Sequence, residues 1–288
     1  MEPTIRTGRD ILDTLNRLRW YLIDLHMSGV EYLPMKPKPL QAEAPIEDAG
    51  SLSENCFKDY PDPWERLAAA TGLSRLQAAP TRTPKPGILG PPPGAPGRVK
   101  TEQVLTDIRE EIGECTRCRL HSSRTRIVFG EGSPQARLVF VGEGPGFDED
   151  QQGRPFVGRA GKLLDKMIQA LGLVREEVYI ANVVKCRPPN NRTPQDDEIA
   201  TCSPFLARQL EAIAPQVICA LGACAAQTLL AAAKSISSLR NKKLLWRGIP
   251  LVCTFHPAYL LRNPSQKSST WQDLLMAHEI LTGTQEGN

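Results

Sequence analysis

Four cysteines of this 288-residue chain are spaced like the ligands of a metal centre. Cys115 and Cys118 form a C-x-x-C pair, whose two thiolates can bind one centre, and Cys186 and Cys202 can complete a set of four. Four soft sulfur ligands suit a zinc ion or an iron–sulfur cluster, and the spacing alone leaves both open. Cys56 has no such partner, and three other cysteines lie in apolar runs that predict buried, inert thiols. These three are Cys219, Cys224 and Cys253.

A glycine-rich loop is the second feature that could carry chemistry. Residues 141–158 read VGEGPGFDEDQQGRPFVG and follow an apolar run. The loop lacks the Gly-Lys-Ser/Thr of a P-loop and does not match G-x-G-x-x-G, so it predicts neither kind of phosphate site. Backbone N–H groups at Gly142, Glu143 and Gly144, together with the ring of Phe156, suit a flat heterocycle better than a phosphate.

Two polar side chains stand at the ends of other apolar runs. Asn182 lies near the end of the run 178–183, and His256 follows the run 250–255. An Asn amide can pair with one edge of a base through two hydrogen bonds, and the imidazole adds another donor. A stacking ring, an edge-reading amide and an imidazole at one edge of a sheet predict a nucleobase pocket.

The elements that must position these residues are strands alternating with helices. This alternation predicts an α/β fold with a mainly parallel four-stranded sheet and helices on both faces. Ligands of such folds bind beyond the carboxyl ends of the strands, where the chain has polar loops rich in Pro and Gly. The predicted strands are 137–141, 178–183, 216–221 and 250–255, and the predicted helices are 101–115, 159–171, 195–213, 223–232 and 271–282.

The first hundred residues differ from the rest. Residues 1–33 contain an amphipathic helix pattern, which predicts a helix that docks on the main domain, self-associates or recruits a protein partner. Residues 34–99 hold 13 of the 25 prolines, which predicts a mostly disordered linker. The regular pattern then fills residues 100–288, which we expect to form the main domain.

Charge and hydropathy limit the classes of function. The net charge of +3 neither requires nor excludes a nucleic-acid partner. No apolar run has the length of a membrane span, and no signal peptide is visible at the start, which predicts a cytoplasmic protein with reduced thiols and no membrane partner. Nine basic side chains near the polar loops are candidates for phosphate contacts. They are Arg119, Arg124, Arg126, Lys185, Arg187, Arg192, Lys242, Lys243 and Arg262.

Four segments together resemble the family 4 uracil-DNA glycosylases, the iron–sulfur branch of that superfamily. They read ECTRCRLHSSRTRIVFGEG, VGEGPGFDEDQQGRPFVGRAGKLLDKMI, VYIANVVKCRPPNNRTP and FHPAYLLRNPS. The resemblance spans roughly residues 102–284, includes all four spaced cysteines and implies a three-layer α/β/α sandwich. It implies hydrolysis of the N-glycosidic bond of uracil in DNA, which initiates base excision repair on single- or double-stranded DNA.

The resemblance also implies roles for individual residues. A 4Fe-4S cluster, with zinc as the alternative, would be held by Cys115, Cys118, Cys186 and Cys202. The uracil would lie against Gly142, Glu143 and Gly144, stack on Phe156, present its O4/N3 edge to Asn182 and its O2 to His256. The implied catalytic residues are His256, Glu143 and Asn182, and Glu143 is also placed to exclude a 5-methyl group.

One departure leaves part of the chemistry open. Gly144 stands where family 1 enzymes have the Asp that positions the attacking water, so the candidates for this role are Glu143, one residue of 148–150, or no base at all. Three other functions also remain open at this point. They are a same-fold glycosylase for hypoxanthine or xanthine, a DNA-binding module without catalytic activity and a zinc-ribbon-like scaffold protein.

Overall fold

The computed structural model describes residues 98–283 of the chain. The predicted N-terminal helix segment (1–33) and all but the last two residues of the predicted linker (34–99) therefore lie outside the described residues. Within residues 98–283 the chain forms a sheet covered by helices on both faces, which confirms the predicted α/β class.

The sheet has six strands in the order β1-β3-β2-β4-β6-β5, two more than the four predicted. The four central strands are the predicted ones and run parallel. The two additional strands, β1 and β5, pair antiparallel at the two edges and have only two and three residues, too few to show a periodic pattern. The strands are β1 Glu131–Gly132, β2 Leu138–Gly142, β3 Tyr179–Asn182, β4 Val217–Leu221, β5 Leu244–Trp246 and β6 Ile249–Thr254.

Eight α-helices are present among the described residues, and five of them are the predicted ones. The three others are short and belong to loops. Within residues 98–283 no helix combines the length and the apolar character that crossing a membrane requires. The helices are α1 Arg98–Ile112, α2 Phe147–Gln152, α3 Arg159–Ala170, α4 Asp196–Ile213, α5 Ala223–Leu230, α6 Ile236–Leu239, α7 Pro257–Arg262 and α8 Lys267–Thr282.

The central strands are apolar on both faces because both faces are covered. Val139 and Val141 of β2 pack on the side of α1 and α4, while Leu138 and Phe140 pack on the side of α3 and α8. Each of these four side chains is at most 1% exposed. A parallel sheet buried on both faces produces the continuous apolar runs seen in the sequence rather than an alternating pattern.

Strand register brings the polar loops together at the carboxyl edge of the sheet. Gly142 at the end of β2 pairs with Asn182 at the end of β3. In the other half of the sheet, Leu221 at the end of β4 pairs with Thr254 at the end of β6. The N–H of Gly222 donates to the Thr254 carbonyl at 2.8 Å. The loops after β2, β3 and β6 therefore surround one space.

Candidate active site

A cleft of about 460 Å³ lies at this carboxyl edge, within the size range of small-molecule sites. Five of the six residues that the sequence predicts for a base pocket line it, and the sixth, Gly142, pairs with Asn182 at its floor. The five are Glu143, Gly144, Phe156, Asn182 and His256. The structure thus brings the predicted residues of three separate loops into one site.

Asn182 has a buried amide without a protein partner. The residue is 1% exposed, yet neither its side-chain oxygen nor its nitrogen makes a hydrogen bond within the described residues. Its backbone carbonyl, in contrast, accepts from the Lys185 Nζ at 2.9 Å, which holds the strand end in place. Because leaving a buried polar group unpaired costs roughly 1–3 kcal/mol, the amide is suited to a ligand that enters the cleft.

Lys185 corrects one of the predictions made for the basic side chains. It is 1% exposed, and its Nζ also donates to Gln209 Oε1 at 2.6 Å, so it is not available for a phosphate contact. Burial lowers its pKa to about 8, opposed by the charge of Cys202. Its place beside a polar loop in the sequence did not reveal that the side chain is buried.

Phe156 and Gly142 form the other wall around that amide. Phe156 is buried and has φ 50°, in the left-handed region that non-glycine residues rarely adopt. A Cβ at Gly142 would stand 2.5 Å from the Phe156 Cζ and 2.4 Å from the Asn182 Oδ1. Only glycine at 142 therefore leaves the ring and the amide side by side.

Two acids of the run 148–150, Glu149 and Asp150, accept hydrogen bonds from backbone N–H groups. Glu149 Oε1 accepts from the N–H groups of Val157 and Gly158 at 2.8 and 2.9 Å, and its Oε2 accepts from Gly146 at 3.1 Å. One carboxylate thus joins the loop after β2 to the segment that carries Phe156. The buried Asp150 accepts from the Thr125 N–H at 2.8 Å and does not line the cleft.

The histidine of the cleft has a defined tautomer. The Ala258 N–H donates to the His256 Nδ1 at 3.1 Å, so a neutral ring carries its proton on Nε2. Burial lowers the pKa of His256 to about 4, and the positive charge of Arg262 lowers it further in the same direction. The ring centroid lies 5.5 Å from that of Phe156. His256 is therefore a neutral donor beside the aromatic ring at pH 7.

Glu143 is the other titratable group of the predicted set. It is half-buried at the mouth of β2, and burial raises the pKa of its carboxyl group, partly offset by a hydrogen bond with Thr193 on the loop after β3. A carboxylate with a raised pKa is a better proton acceptor than an exposed one.

The four spaced cysteines line a second, smaller cavity. Arg117 donates to the Cys115 sulfur at 3.3 Å, Arg124 to the Cys186 sulfur at 3.5 Å, and the Lys185 backbone N–H to the Cys202 sulfur at 3.3 Å. Arg124 favours the thiolate form of Cys186, but burial outweighs it and raises the pKa of Cys186 to about 12, and burial likewise raises the pKa of Cys202. Among residues 98–283, no three His, Cys, Asp or Glu side chains are arranged to hold a single metal ion.

The three remaining cysteines of the described region are buried, as predicted, and Cys56 lies outside it. Burial raises the pKa of Cys224 and of Cys253 to about 12, and that of Cys219 well above its ordinary value. Such thiols remain protonated at neutral pH and are poor nucleophiles.

One residue of the cleft, Tyr259, was not predicted from the sequence. It lies one turn before Arg262, a predicted phosphate contact that also lines the cleft, on α7, which begins with a proline immediately after His256. A proline in the first turn of a helix was the available signal. Glu149 also lines the cleft, but nothing in the sequence distinguishes it from the neighbouring acids.

Comparison with known proteins places this chain in a family. The model of the uracil DNA glycosylase superfamily matches residues 129–275. The chain is 51% identical to a type-4 uracil-DNA glycosylase of Thermotoga maritima over 168 residues, 58% of this chain and 88% of that protein. It is 45% identical to one of Sulfurisphaera tokodaii over 185 residues, 61% and 84% of the two chains. A third, from Archaeoglobus fulgidus, is 44% identical over 186 residues, 62% and 94% of the two chains. The chain belongs to the uracil DNA glycosylase superfamily and, within it, to the type-4 uracil-DNA glycosylases.

Proposed function

We propose that this protein removes uracil from DNA by hydrolysing the bond between the base and its deoxyribose, the first step of base excision repair. The observation that carries the proposal is the buried amide of Asn182, which has no hydrogen-bond partner among the described residues and lies in a cleft large enough to admit a base. Membership of the type-4 uracil-DNA glycosylases supports the same reaction. The partner is DNA, from which the target base is flipped into the cleft at a cost of a few kcal/mol.

Base selection rests on Phe156 and Asn182. The ring supplies a face on which the flipped base stacks, and the amide accepts from uracil N3–H and donates to O4. Cytosine presents a donor where uracil has O4 and an acceptor where it has N3–H, so both amide groups would remain unpaired. Buried unpaired groups are the strongest means by which a site rejects a close analogue.

His256 stabilises the departing base. As the bond between N1 and C1′ breaks, its electron pair stays on uracil, which leaves as an anion with charge on O2. The protonated Nε2 of the neutral ring donates to that oxygen, as donors of an oxyanion hole do. The Nδ1 is occupied by the Ala258 N–H, which keeps the donor on the side of the base.

Glu143 holds the attacking water. The water adds to C1′ and loses a proton, which the carboxylate of Glu143 accepts. Its raised pKa suits this role, and it lines the cleft. Glu149 also lines the cleft, but its two oxygens already accept three backbone N–H groups. Gly144 supplies close backbone approach and no acid.

The cofactor of the second cavity is a 4Fe-4S cluster held by Cys115, Cys118, Cys186 and Cys202. Four thiolates around one zinc ion lie within about 2.3 Å of it, whereas those around a cluster of several atoms stand farther apart. Four cysteines that line one cavity fit either group, and membership of the type-4 uracil-DNA glycosylases favours the cluster. A bound cluster would link the segment after α1 to the loop after β3 and to α4, which carries Cys202, and would supply no chemistry to the hydrolysis.

The test is uracil release by full-length, anaerobically purified protein. We expect free uracil and an abasic site from oligonucleotides with one deoxyuridine, and a brown protein that absorbs at about 400 nm. Double-stranded and single-stranded substrates are assayed in parallel. No uracil from either substrate would refute the proposed reaction, and a colourless zinc protein would refute the cluster.

A further inference from the structure

Phe147 has a large apolar side chain that is not part of the hydrophobic core. It is 55% exposed and is the first residue of α2. The preceding residue, Gly146, belongs to the wall of the cleft, whereas Phe147 itself stands outside it. None of the steps proposed above requires an aromatic ring at this position.

A guanidinium group covers one face of the Phe147 ring. The Cζ of Arg187 lies 5.0 Å from the ring centroid, within the range of cation–π contacts. Arg187 Nε also donates to Asn191 Oδ1 at 2.7 Å, which fixes the guanidinium. Asn191 and the neighbouring Pro188 line the cleft. The Phe147–Arg187 pair therefore joins the loops after β2 and β3 at the rim of the cleft.

We propose that Phe147 is the stacking platform for a nucleobase adjacent to the flipped uracil. This inference rests on the proposed function, because the DNA strand must continue past the rim once its uracil lies in the cleft. The base beside the vacated position has lost a stacking neighbour. An exposed ring suits its flat face, and the cation behind the ring suits the negatively charged backbone nearby.

The expected effect is on DNA binding rather than on bond cleavage. Phe147→Ala should weaken binding of a single-stranded oligonucleotide with one deoxyuridine about five- to hundredfold, the range for loss of one base–aromatic stack. The single-turnover rate at saturating protein should change little, because the ring is outside the cleft. Phe147→Trp should restore binding. The matched control is Leu245→Ala, which removes a side chain that is 62% exposed on the edge strand β5.

A double-mutant cycle identifies the stacked base. Oligonucleotides carry a base-free deoxyribose analogue on the 5′ or the 3′ side of the uracil, and dissociation constants are measured for the wild-type protein and Phe147→Ala. Removing the stacked base should weaken wild-type binding but leave the variant nearly unchanged. Equal losses in both proteins on both sides would overturn the proposal, as would Phe147→Ala binding like Leu245→Ala.

Failure of this inference and failure of the proposed function are distinguishable. A wild-type protein that releases no uracil would contradict the function, but the dissociation constants would still decide the stacking role. Normal uracil release with additive losses in the cycle would remove only the role of Phe147.

Discussion

The polar groups of the cleft and of the cysteine cavity differ in whether they have hydrogen-bond partners within the protein. In the cleft, the central amide of Asn182 is buried without a protein partner. In the cysteine cavity, three of the four sulfurs accept hydrogen bonds from the protein, from Arg117, Arg124 and the backbone of Lys185. The loop after β3 takes part in both sites. A polar group without a hydrogen-bond partner is suited to a ligand that binds reversibly. Polar groups that are already hydrogen-bonded suit a ligand that stays bound. Variants in the cleft should therefore reduce rate, and variants in the cysteine cavity should reduce stability.

Asn182→Ala should give the largest loss of rate. We expect kcat/KM for uracil release to fall on the order of a thousandfold, because both hydrogen bonds to the base edge are lost. The melting temperature should stay close to that of the wild type, since the amide gives up no hydrogen bond within the protein. The control is Gln103→Ala on α1, whose exposed amide donates to Asp107 at 2.8 Å. A large loss of stability in Asn182→Ala would contradict the contrast between the sites.

Cys186→Ala should give the largest loss of stability. We expect it to abolish absorbance at about 400 nm and to lower the melting temperature by roughly 10 °C or more, with activity lost because the loop after β3 is no longer held. Cys219→Ala, also a buried cysteine, should keep the absorbance and most of the activity. Calorimetry and absorbance spectra check both variants. A Cys186→Ala protein with normal stability would indicate that this cavity holds no structural cofactor.

Gly142→Ala should reduce rate by a smaller factor, about ten- to a hundredfold. Its methyl group would displace the Asn182 amide and the Phe156 ring, each within about 2.5 Å of the added carbon. Gly248→Ala is the matched control, because that glycine has φ 84° but no atom within 4 Å of an added Cβ. The control should lose about 1–2 kcal/mol of stability through its backbone and keep its rate. Equal rates in the two variants would show that the close packing at Gly142 is not needed.

The smallest expected effect is on the pH dependence of protein stability, to which His256 contributes. Its pKa is about 4 in the folded protein against 6.5 for an ordinary His, so the unfolded chain binds more protons between these values. Stability from this group is therefore complete above pH 6.5 and is lost as the pH falls towards 4. His256→Asn should show a weaker decline of melting temperature over this range. Identical pH profiles would indicate that His256 is not buried as a neutral ring.

Much of the fold is predictable from the local sequence pattern. The elements that the pattern does not predict are missed for a physical reason. The four parallel strands are visible because burial on both faces makes each a continuous apolar run, as in LVFVG of β2. The edge strand β5 is visible only in the structure, since its three residues include Leu245, which is 62% exposed. Its pairing with β6 depends on tertiary contacts that no short pattern encodes.

The residues of the candidate site also divide into those that the sequence predicts and those that it does not. The position of Glu143, Asn182 and His256 at one cleft was predictable because they stand where strands end, and strand ends of a parallel sheet meet at one edge. The role of Glu149 was not predictable, since only folding brings it to the N–H groups of Val157 and Gly158. The sequence showed an acidic run in a glycine-rich loop, and the structure shows that Glu149 of this run binds backbone N–H groups of the same loop.

Selectivity between uracil, cytosine and two deaminated purines tests the central claim most directly. The measurement is kcat/KM of the wild-type protein on oligonucleotides that carry uracil, cytosine, hypoxanthine or xanthine in one sequence context. If the free amide of Asn182 reads the O4/N3 edge, uracil should be released at least about a thousandfold faster than cytosine, with little release of either purine. Preferential release of hypoxanthine or xanthine, or release of cytosine at a rate near that of uracil, would contradict the proposed use of this amide.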